Sequence, residues 1–150
     1  MRAWRICRRR HITLDGEGAR LYGGRWNSRG VAVVYASSTL ALAALEYLVH
    51  LDIENAPSDL VAMSIGIPSD APVLTIAPQD LAKDWSRYPA HPGCTAVGDA
   101  WVAEGTALVL EVPSAVVPEE SNILLNPRHA RGEELTVDSL RPFSFDPRLQ

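Results

Sequence analysis

The chain has 150 residues, of which 47% are hydrophobic, and this suffices for one globular domain with its own apolar core. Its 14 basic and 18 acidic side chains give a formal net charge of -4, which disfavours direct binding to a nucleic acid backbone. No apolar run approaches the roughly 20 residues that span a bilayer, and arginines stand where a signal peptide needs its apolar core, so we expect a cytoplasmic protein without a membrane partner.

The N-terminal segment contains the first predicted strand, residues 4–7, within a cluster of arginines. A solvated surface is the expected role of this cluster, and the alternative is contact with phosphate, a membrane surface or an acidic protein. Cys7 and Cys94 lack the spacing of a metal site or a disulfide framework, so we expect two reduced thiols and no bound metal. The clustered arginines are Arg2, Arg5, Arg8, Arg9 and Arg10.

A glycine-rich segment, residues 16–24, is predicted as a loop that leads to Arg25. Residues 31–36 are predicted as a strand, because they are rich in β-branched residues, and their nearly continuous apolar character indicates burial on both faces. No G-x-G-x-x-G fingerprint lies between a predicted strand and a helix. A doubly wound dinucleotide-binding fold is therefore not expected.

Residues 40–51 are predicted as a helix, since residues 37–39 supply N-cap candidates and good helix formers follow without a breaker. The predicted helix is apolar nearly all round, which is typical of a buried helix. Glu46 and His50 are the exceptions, and their i, i+4 spacing places them on one face. We expect that face to look into a cleft, and the alternative is an exposed ion pair on a partly solvated helix.

The second half of the chain is predicted to contain further strands and short helices, separated by prolines and glycines. Predicted strands cover residues 61–67, 73–76, 106–112, 123–125 and 135–137, and predicted helices begin at Pro78 and cover 94–104. No internal repeat is present. Residues 1–150 are thus expected to form a single α+β domain with a strand-rich core and few helices.

Arg25 and Tyr35 are candidates for binding a nucleotide. The planar guanidinium of Arg25 suits bidentate capture of phosphate oxygens, and the preceding glycines permit close approach of the backbone. A salt-bridged structural arginine in a turn is the equally common alternative. Tyr35, near the end of the predicted strand, either presents its ring to a nicotinamide or adenine or lies in the core with its hydroxyl hydrogen-bonded.

Glu46 is the sharper candidate, because a carboxylate on a dry helix face is costly unless it has a partner or a chemical role. Cleavage of a nicotinamide N-glycosidic bond develops positive charge on the ribose, and a fixed carboxylate stabilises that charge. Nicotinamide leaves as a neutral group, so no general acid is needed and one glutamate can suffice. His50 either orients Glu46 or interacts with the helix C-terminus, and we favour the second role.

Four segments, supported by residues 112–115, carry a resemblance to a known family. They are residues 24–27, 34–35, 44–46 and 120–127. In their order and spacing they resemble the RES domain family over nearly the whole chain. The family is named for an arginine, a glutamate and a serine, which fall here on Arg25, Glu46 and Ser121.

The resemblance implies a fold similar to the ADP-ribosyltransferases and a toxin of a type II toxin-antitoxin pair that depletes NAD+ at the nicotinamide ribose. NAD+ would be the substrate, with water or inorganic phosphate as acceptor and no separate cofactor. A cognate antitoxin of the Xre type is also implied, with a helix-turn-helix part that binds DNA and another part that blocks the NAD+ cleft. DNA binding by the toxin would then be indirect, and a homo-oligomer within the complex is left open.

The resemblance also implies roles for individual residues. Arg25 would hold the phosphates or ribose of NAD+, Tyr35 would pack beside the nicotinamide, and Glu46 would stabilise the ribosyl cation. Ser121 would contact substrate or orient a catalytic group. The alternative for Ser121 is a turn serine that hydrogen-bonds its own backbone.

Asn27, Arg29 and His129 are further candidates, the first two for substrate binding. The alternatives are an exposed turn position for Arg29 and a loop position for His129. Many transferases of the wider superfamily carry a late Glu-x-Glu signature that positions the acceptor. Glu119 and Glu120 are adjacent and would point in opposite directions on an extended segment, which disfavours transfer to a protein.

We expect an NAD+ glycohydrolase or phosphorylase, and two other classes of function are the alternatives. A protein-directed ADP-ribosyltransferase would share the NAD+ site and differ only in the group that attacks the ribose. A non-catalytic interaction module, or a toxin acting on RNA, would bind instead through the arginine-rich N-terminus. The absence of a His/Lys/Glu nuclease constellation and the acidic net charge argue against the RNA version.

Overall fold

The computed structural model describes residues 1–149, which form an α+β fold around one mixed sheet of seven strands. In chain order the strands are β1 Arg2–Arg8, β2 Val34–Ser37, β3 Leu60–Gly66, β4 Val73–Thr75, β5 Val109–Pro113, β6 Ser121–Leu125 and β7 Thr136–Pro142. The α-helices in this range are α1 Glu17–Tyr22, α2 Leu40–Leu48 and α3 Pro92–Glu104. The predicted class, α+β with a strand-rich core and few helices, is confirmed.

The strand order is β4-β5-β6-β2-β1-β3-β7, and every neighbouring pair is antiparallel except β4 with β5. β1 pairs with β3 along its whole length, but it pairs with β2 only where Trp4 lies opposite Ser37. The two central strands therefore separate beyond this point. Within residues 1–149, no helix is long and apolar enough to cross a membrane.

Apolar side chains cover both faces of the sheet. Because side chains alternate along a strand, Leu124 and Leu125 enter different clusters, one on each face. The Leu125 face also buries Val34, Met63 and Ile65, whereas the Leu124 face is built around three tryptophans of loops and α3. These tryptophans are Trp26, Trp85 and Trp101. The burial that the sequence predicts for the 31–36 strand is thus provided from both sides.

The structure differs from the sequence prediction in the glycine-rich segment 16–24, where a loop was expected and helix α1 is found. Gly16 and Gly23 flank the helix with φ of 67° and 71°, so they act as its caps and do not interrupt it. Glu17 and Arg20 form an ion pair one turn apart within α1. The loop prediction was wrong because it counted glycines without regard to their positions at the helix ends.

Other element boundaries shift by a few residues for local reasons. Helix α2 begins as predicted, with Thr39 as N-cap, but ends at Leu48 because the amides of His50 and Leu51 form i to i-3 turns. β2 begins three residues late, since the Val31 carbonyl accepts from Asn27 and its amide donates to Ser28. The helix expected at Pro78 is a single turn of 3-10 helix, Pro78–Asp80.

Helix α3 packs directly on the backbone of Trp26. A Cβ added at Gly98 would lie 1.6 Å from the Trp26 carbonyl oxygen, a distance that no side chain can tolerate. Trp101, one turn further along α3, is buried and donates from its indole nitrogen to the carbonyl of Ala107 at 2.9 Å. The glycine therefore sets how closely α3 approaches the turn that contains Trp26.

Gly98→Ala is expected to lower the free energy of unfolding by about 1–3 kcal/mol or more, because the added methyl group forces α3 away from Trp26. Urea denaturation followed by tryptophan fluorescence measures the change. Gly18→Ala is the matched control: Gly18 also lies in a helix, but its added Cβ meets no atom within 4 Å. The close contact would be refuted by equal unfolding midpoints for Gly98→Ala and the wild type.

Candidate active site

A cleft of about 1430 Å³ lies where β1 and β2 separate. Its walls come from β1, β2, α2, the turn after α1 and the loop before α3. Of the residues that the sequence nominated, the cleft is lined by Arg25, Tyr35, Glu46 and His50. Glu46 and His50 thus face one cleft, as their spacing predicted. No cluster of three or more His, Cys, Asp or Glu residues suited to a metal ion occurs in the described part of the chain.

The carboxylate of Glu46 is held by two short hydrogen bonds. Its Oε1 atom accepts from Ser114 Oγ and from Asn122 Nδ2, each at 2.6 Å. Ser114 follows β5 and is completely buried, and its Oγ also accepts from the amides of Val116 and Val117, each at 3.0 Å. With both acceptor positions occupied, the single hydroxyl proton of Ser114 must point at Glu46.

Asn122 is oriented from β2. Its Oδ1 accepts from Ser37 Oγ at 2.8 Å, so its amide group presents Nδ2 to Glu46. Ser37 and Asn122 lie directly opposite each other in the β2-β6 ladder, which fixes this pair through the backbone. Among residues 1–149, no group donates to the second oxygen of Glu46, Oε2. That oxygen is available to accept a hydrogen bond from a ligand in the cleft.

Arg25 projects from a tight turn, in which Gly24 and Asn27 exchange backbone hydrogen bonds. Its Nη1 donates to the carbonyls of Trp85 and Arg87, each at 2.9 Å. No carboxylate of the described chain forms an ion pair with Arg25, so the salt-bridged alternative is not found there. The guanidinium is positioned by neutral carbonyls and keeps its net positive charge for the cleft.

Helix α3 fixes the same turn by its backbone. Thr95 Oγ1 donates to the Arg25 carbonyl at 3.1 Å. One turn further along, the carboxylate of Asp99 accepts from both the amide and the hydroxyl of Ser28. Together with the contact at Gly98, one face of α3 therefore holds the turn on both sides of Trp26.

Tyr35 serves the turn as well as the cleft. Its hydroxyl accepts from the Trp26 amide at 3.0 Å and donates to Asn27 Oδ1 at 2.7 Å. Burial raises the pKa of Tyr35 well above its ordinary value, so the hydroxyl is neutral and can donate. Asn27 is itself buried, and its Nδ2 donates to the carbonyls of Ala19 and Val31. Tyr35 and Asn27 thus determine the shape of the turn that presents Arg25.

Several nominated residues lie outside this arrangement. Ser121 begins β6 opposite Pro113 and does not line the cleft, and Ser114 is the serine that contacts Glu46. Arg29 is exposed on the turn after Asn27 and does not line the cleft either. His129 accepts from the Arg131 amide through Nδ1 at 3.0 Å, in a loop away from the cleft.

Arg5 lines the cleft although sequence analysis assigned it to the solvated N-terminal cluster. It is half-buried in β1 between Trp4 and Ile6, and no ion pair involves it within residues 1–149. Its position inside a strand of apolar neighbours was the available signal in the sequence. Arg5 and Arg25 give the cleft two cationic side chains, and Glu46 and Asp52 give it two carboxylates, an arrangement that suits a ligand with charges of both signs.

The family model of the RES domain matches residues 2–146. The chain belongs to the RES domain family. The curated protein Toxin Res of Yersinia enterocolitica serotype O:8 is 40% identical over 154 residues, which cover 100% of both proteins. The Prs ADP-ribosylating toxin of a Sphingobium species is 38% identical over 138 residues, covering 91% of this chain and 86% of the relative. The family resemblance predicted from the sequence is thereby confirmed.

The RES domain fold is also found among solved structures. A chain in the crystal structure of the M. tuberculosis MbcT-MbcA toxin-antitoxin complex superposes with a TM-score of 0.77, over 95% of this chain and 84% of that one. The two sequences are 22% identical in this comparison. The similarity establishes a shared fold.

Tyr35→Phe is expected to lower the free energy of unfolding of this RES domain by about 1–3 kcal/mol, because the buried Trp26 amide loses its acceptor and Asn27 loses a donor. Urea denaturation measures the loss. Tyr22→Phe is the control, since the Tyr22 side chain is exposed on α1. A Tyr35→Phe midpoint equal to that of the wild type would contradict the assigned role of the hydroxyl.

Proposed function

We propose that this RES protein is a toxin that depletes NAD+ by cleaving the bond between nicotinamide and ribose, and that a cognate antitoxin restrains it. The observation that carries the proposal is the state of Glu46. One of its oxygens is saturated by two fixed donors, while the other has no donor among residues 1–149 and lies in a cleft with two arginines. Such a carboxylate is prepared to stabilise positive charge on a bound ligand.

The chemistry needs only one carboxylate. The bond between C1' of the ribose and the pyridinium nitrogen breaks, and its electron pair leaves with nicotinamide, which becomes neutral. The ribose is left with the positive charge, which Glu46 stabilises while its Oε2 accepts a hydrogen bond from a ribose hydroxyl. An oxygen of water or phosphate then forms the new bond to C1' and releases its proton to solvent if it carries one. Ser114 and Asn122 act as positioning residues by keeping Glu46 in one orientation.

The two arginines of the cleft suit the pyrophosphate of the dinucleotide, and its volume suits the whole molecule. Arg25 is assigned to the pyrophosphate, because its guanidinium is held in place without a neutralising carboxylate. Arg5 adds a second positive charge in the same cleft. At about 1430 Å³ the cleft is large enough to hold a whole dinucleotide. The ring of Tyr35 forms part of the wall beside the reacting ribose.

ADP-ribosylation of a protein is the second candidate, and the name of the 38% identical Sphingobium relative favours it. It uses the same substrate and passes through the same ribosyl cation. The difference is that a side chain of a target protein, and not water or phosphate, forms the bond to C1'. Both candidates therefore assign the same role to Glu46.

A cognate antitoxin is the proposed partner, supported by the fold shared with a toxin of a solved toxin-antitoxin complex. We propose an antitoxin of the Xre type that covers the cleft and prevents entry of NAD+. Because NAD+ is abundant in the cytoplasm, the active toxin is assigned to that compartment.

The products formed from NAD+ test the proposal. The purified chain is incubated with NAD+, with and without inorganic phosphate, and nicotinamide, ADP-ribose and ADP-ribose 1''-phosphate are separated by chromatography. Free ADP-ribose is expected from a glycohydrolase and the phosphorylated product from a phosphorylase. Labelled ADP-ribose attached to a protein in a lysate, with little free product, would select the transferase. Folded, antitoxin-free protein that releases no nicotinamide under any of these conditions would refute the proposal.

Glu46→Gln is expected to reduce nicotinamide release by about 10²-fold or more while leaving the urea midpoint unchanged. The amide oxygen can still accept from Ser114 and Asn122, but the charge is lost and a donor replaces the free Oε2 acceptor. Glu104→Gln, at the exposed end of α3, is the control for removal of a negative charge. Normal NAD+ turnover by Glu46→Gln would remove Glu46 from the mechanism.

A further inference from the structure

The loop that precedes α3, residues 84–91, forms one wall of the cleft and is held at several points. Trp85 is buried and its ring lies 6.3 Å from that of Trp26. Asp84 forms an ion pair with Arg87 at 3.2 Å, and its other carboxylate oxygen lies 3.5 Å from Nε2 of His91, so the two ends of the loop are in contact. These contacts fix the backbone on both sides of the loop tip.

Tyr88 occupies that tip and lines the cleft, yet 83% of it is exposed. No described residue forms a hydrogen bond or a ring contact with its side chain. The loop backbone holds Tyr88 at the edge of the cleft, but its ring makes no contact with residues 1–149 that stabilises the fold. It offers an open face to whatever enters the cleft.

Contacts through β2 connect the part of the cleft near Tyr88 with the part near Glu46. Arg25 donates a hydrogen bond to the carbonyl of Arg87, the residue before Tyr88. The amide of Trp26, which follows Arg25 in the turn, donates to the hydroxyl of Tyr35. Ser37, two residues further along β2 and on the same face as Tyr35, leads through Asn122 to Glu46. Arg25 is therefore in contact with the loop that carries Tyr88, and Tyr88, Arg25 and Glu46 all line the same cleft.

We propose that Tyr88 binds the adenine ring of the dinucleotide by stacking and makes the site prefer NAD+ to nicotinamide mononucleotide. The inference rests on the proposed function, which places the reacting ribose at Glu46 and the pyrophosphate at Arg25. The adenosine half of NAD+ is joined to the pyrophosphate, and Tyr88 adjoins Arg87, whose carbonyl accepts from Arg25, so an adenine next to a pyrophosphate at Arg25 lies within reach of Tyr88. Stacking of a base on an aromatic side chain is strong enough to contribute visibly to substrate affinity.

The experiment compares the wild type with Tyr88→Ala and Tyr88→Phe. The Michaelis constants for NAD+ and for nicotinamide mononucleotide, which lacks the adenylyl half, are measured together with the dissociation constant of ADP by calorimetry. Tyr22→Ala is the matched control, because Tyr22 is 78% exposed and does not line the cleft. ADP binding requires no turnover, so it reports on the adenine site independently of the reaction.

Tyr88→Ala is expected to raise KM for NAD+ and Kd for ADP about ten- to a hundredfold, with kcat and KM for the mononucleotide little changed. Tyr88→Phe, which keeps the ring, and Tyr22→Ala should behave as the wild type. Unchanged NAD+ and ADP constants in Tyr88→Ala would overturn the proposal, as would equal losses with NAD+ and the mononucleotide, which would place Tyr88 at the nicotinamide half. Tyr88-dependent ADP binding without nicotinamide release would support the adenine site and refute the proposed reaction instead.

Discussion

The pair of hydrogen bonds to Oε1 of Glu46 is the interaction on which the site depends. A carboxylate within an otherwise apolar helix loses solvation, and charge-assisted hydrogen bonds offset that cost. Its two donors come from β6 and from the segment after β5, and β2 orients one of them. β2, β5 and β6 must therefore be paired in the observed register before Glu46 is correctly held. The orientation of Glu46 therefore depends on the arrangement of the strands around it.

The arginine half of the cleft follows the opposite arrangement. Arg25 is given carbonyl acceptors but no carboxylate in the described chain, so its charge is positioned without being neutralised. The turn that carries Arg25 is held by hydrogen bonds from its surroundings. Tyr35, Asn27 and one face of α3 form hydrogen bonds with backbone amides and carbonyls in and next to the turn. A fixed anion and a fixed cation thus face one cleft without pairing with each other. An arrangement of this kind is suited to a ligand that carries charges of both signs, as NAD+ does.

The residues of the candidate site that could be chosen from the sequence are those that break a local pattern. Glu46 interrupts an apolar helix, and Arg25 follows two glycines beside a strong strand, so each is visible within ten residues of chain. Ser114 and Arg5 are different, because their roles depend on which strands become neighbours and on how β1 and β2 separate. Ser121 and Ser114 are both serines next to the ends of paired strands, and only the register of β5 with β6 decides which one reaches Glu46. Such long-range register is not encoded in any short window of sequence.

The cleft exists because β1 and β2 pair over only one residue each. Full pairing of β1 with β2 would add backbone hydrogen bonds, but it would close the space that Arg5, Tyr35 and Glu46 line. Aromatic side chains pack against β1 and α2: the rings of Phe143 and Phe145 lie 5.1 Å apart, and Phe145 stacks on Tyr47 of α2 at 6.2 Å. Ile6 of β1 joins the same cluster, so the C-terminal segment holds β1 and α2 together as one wall. Phe143 and Phe145 therefore support the cleft although neither of them lines it.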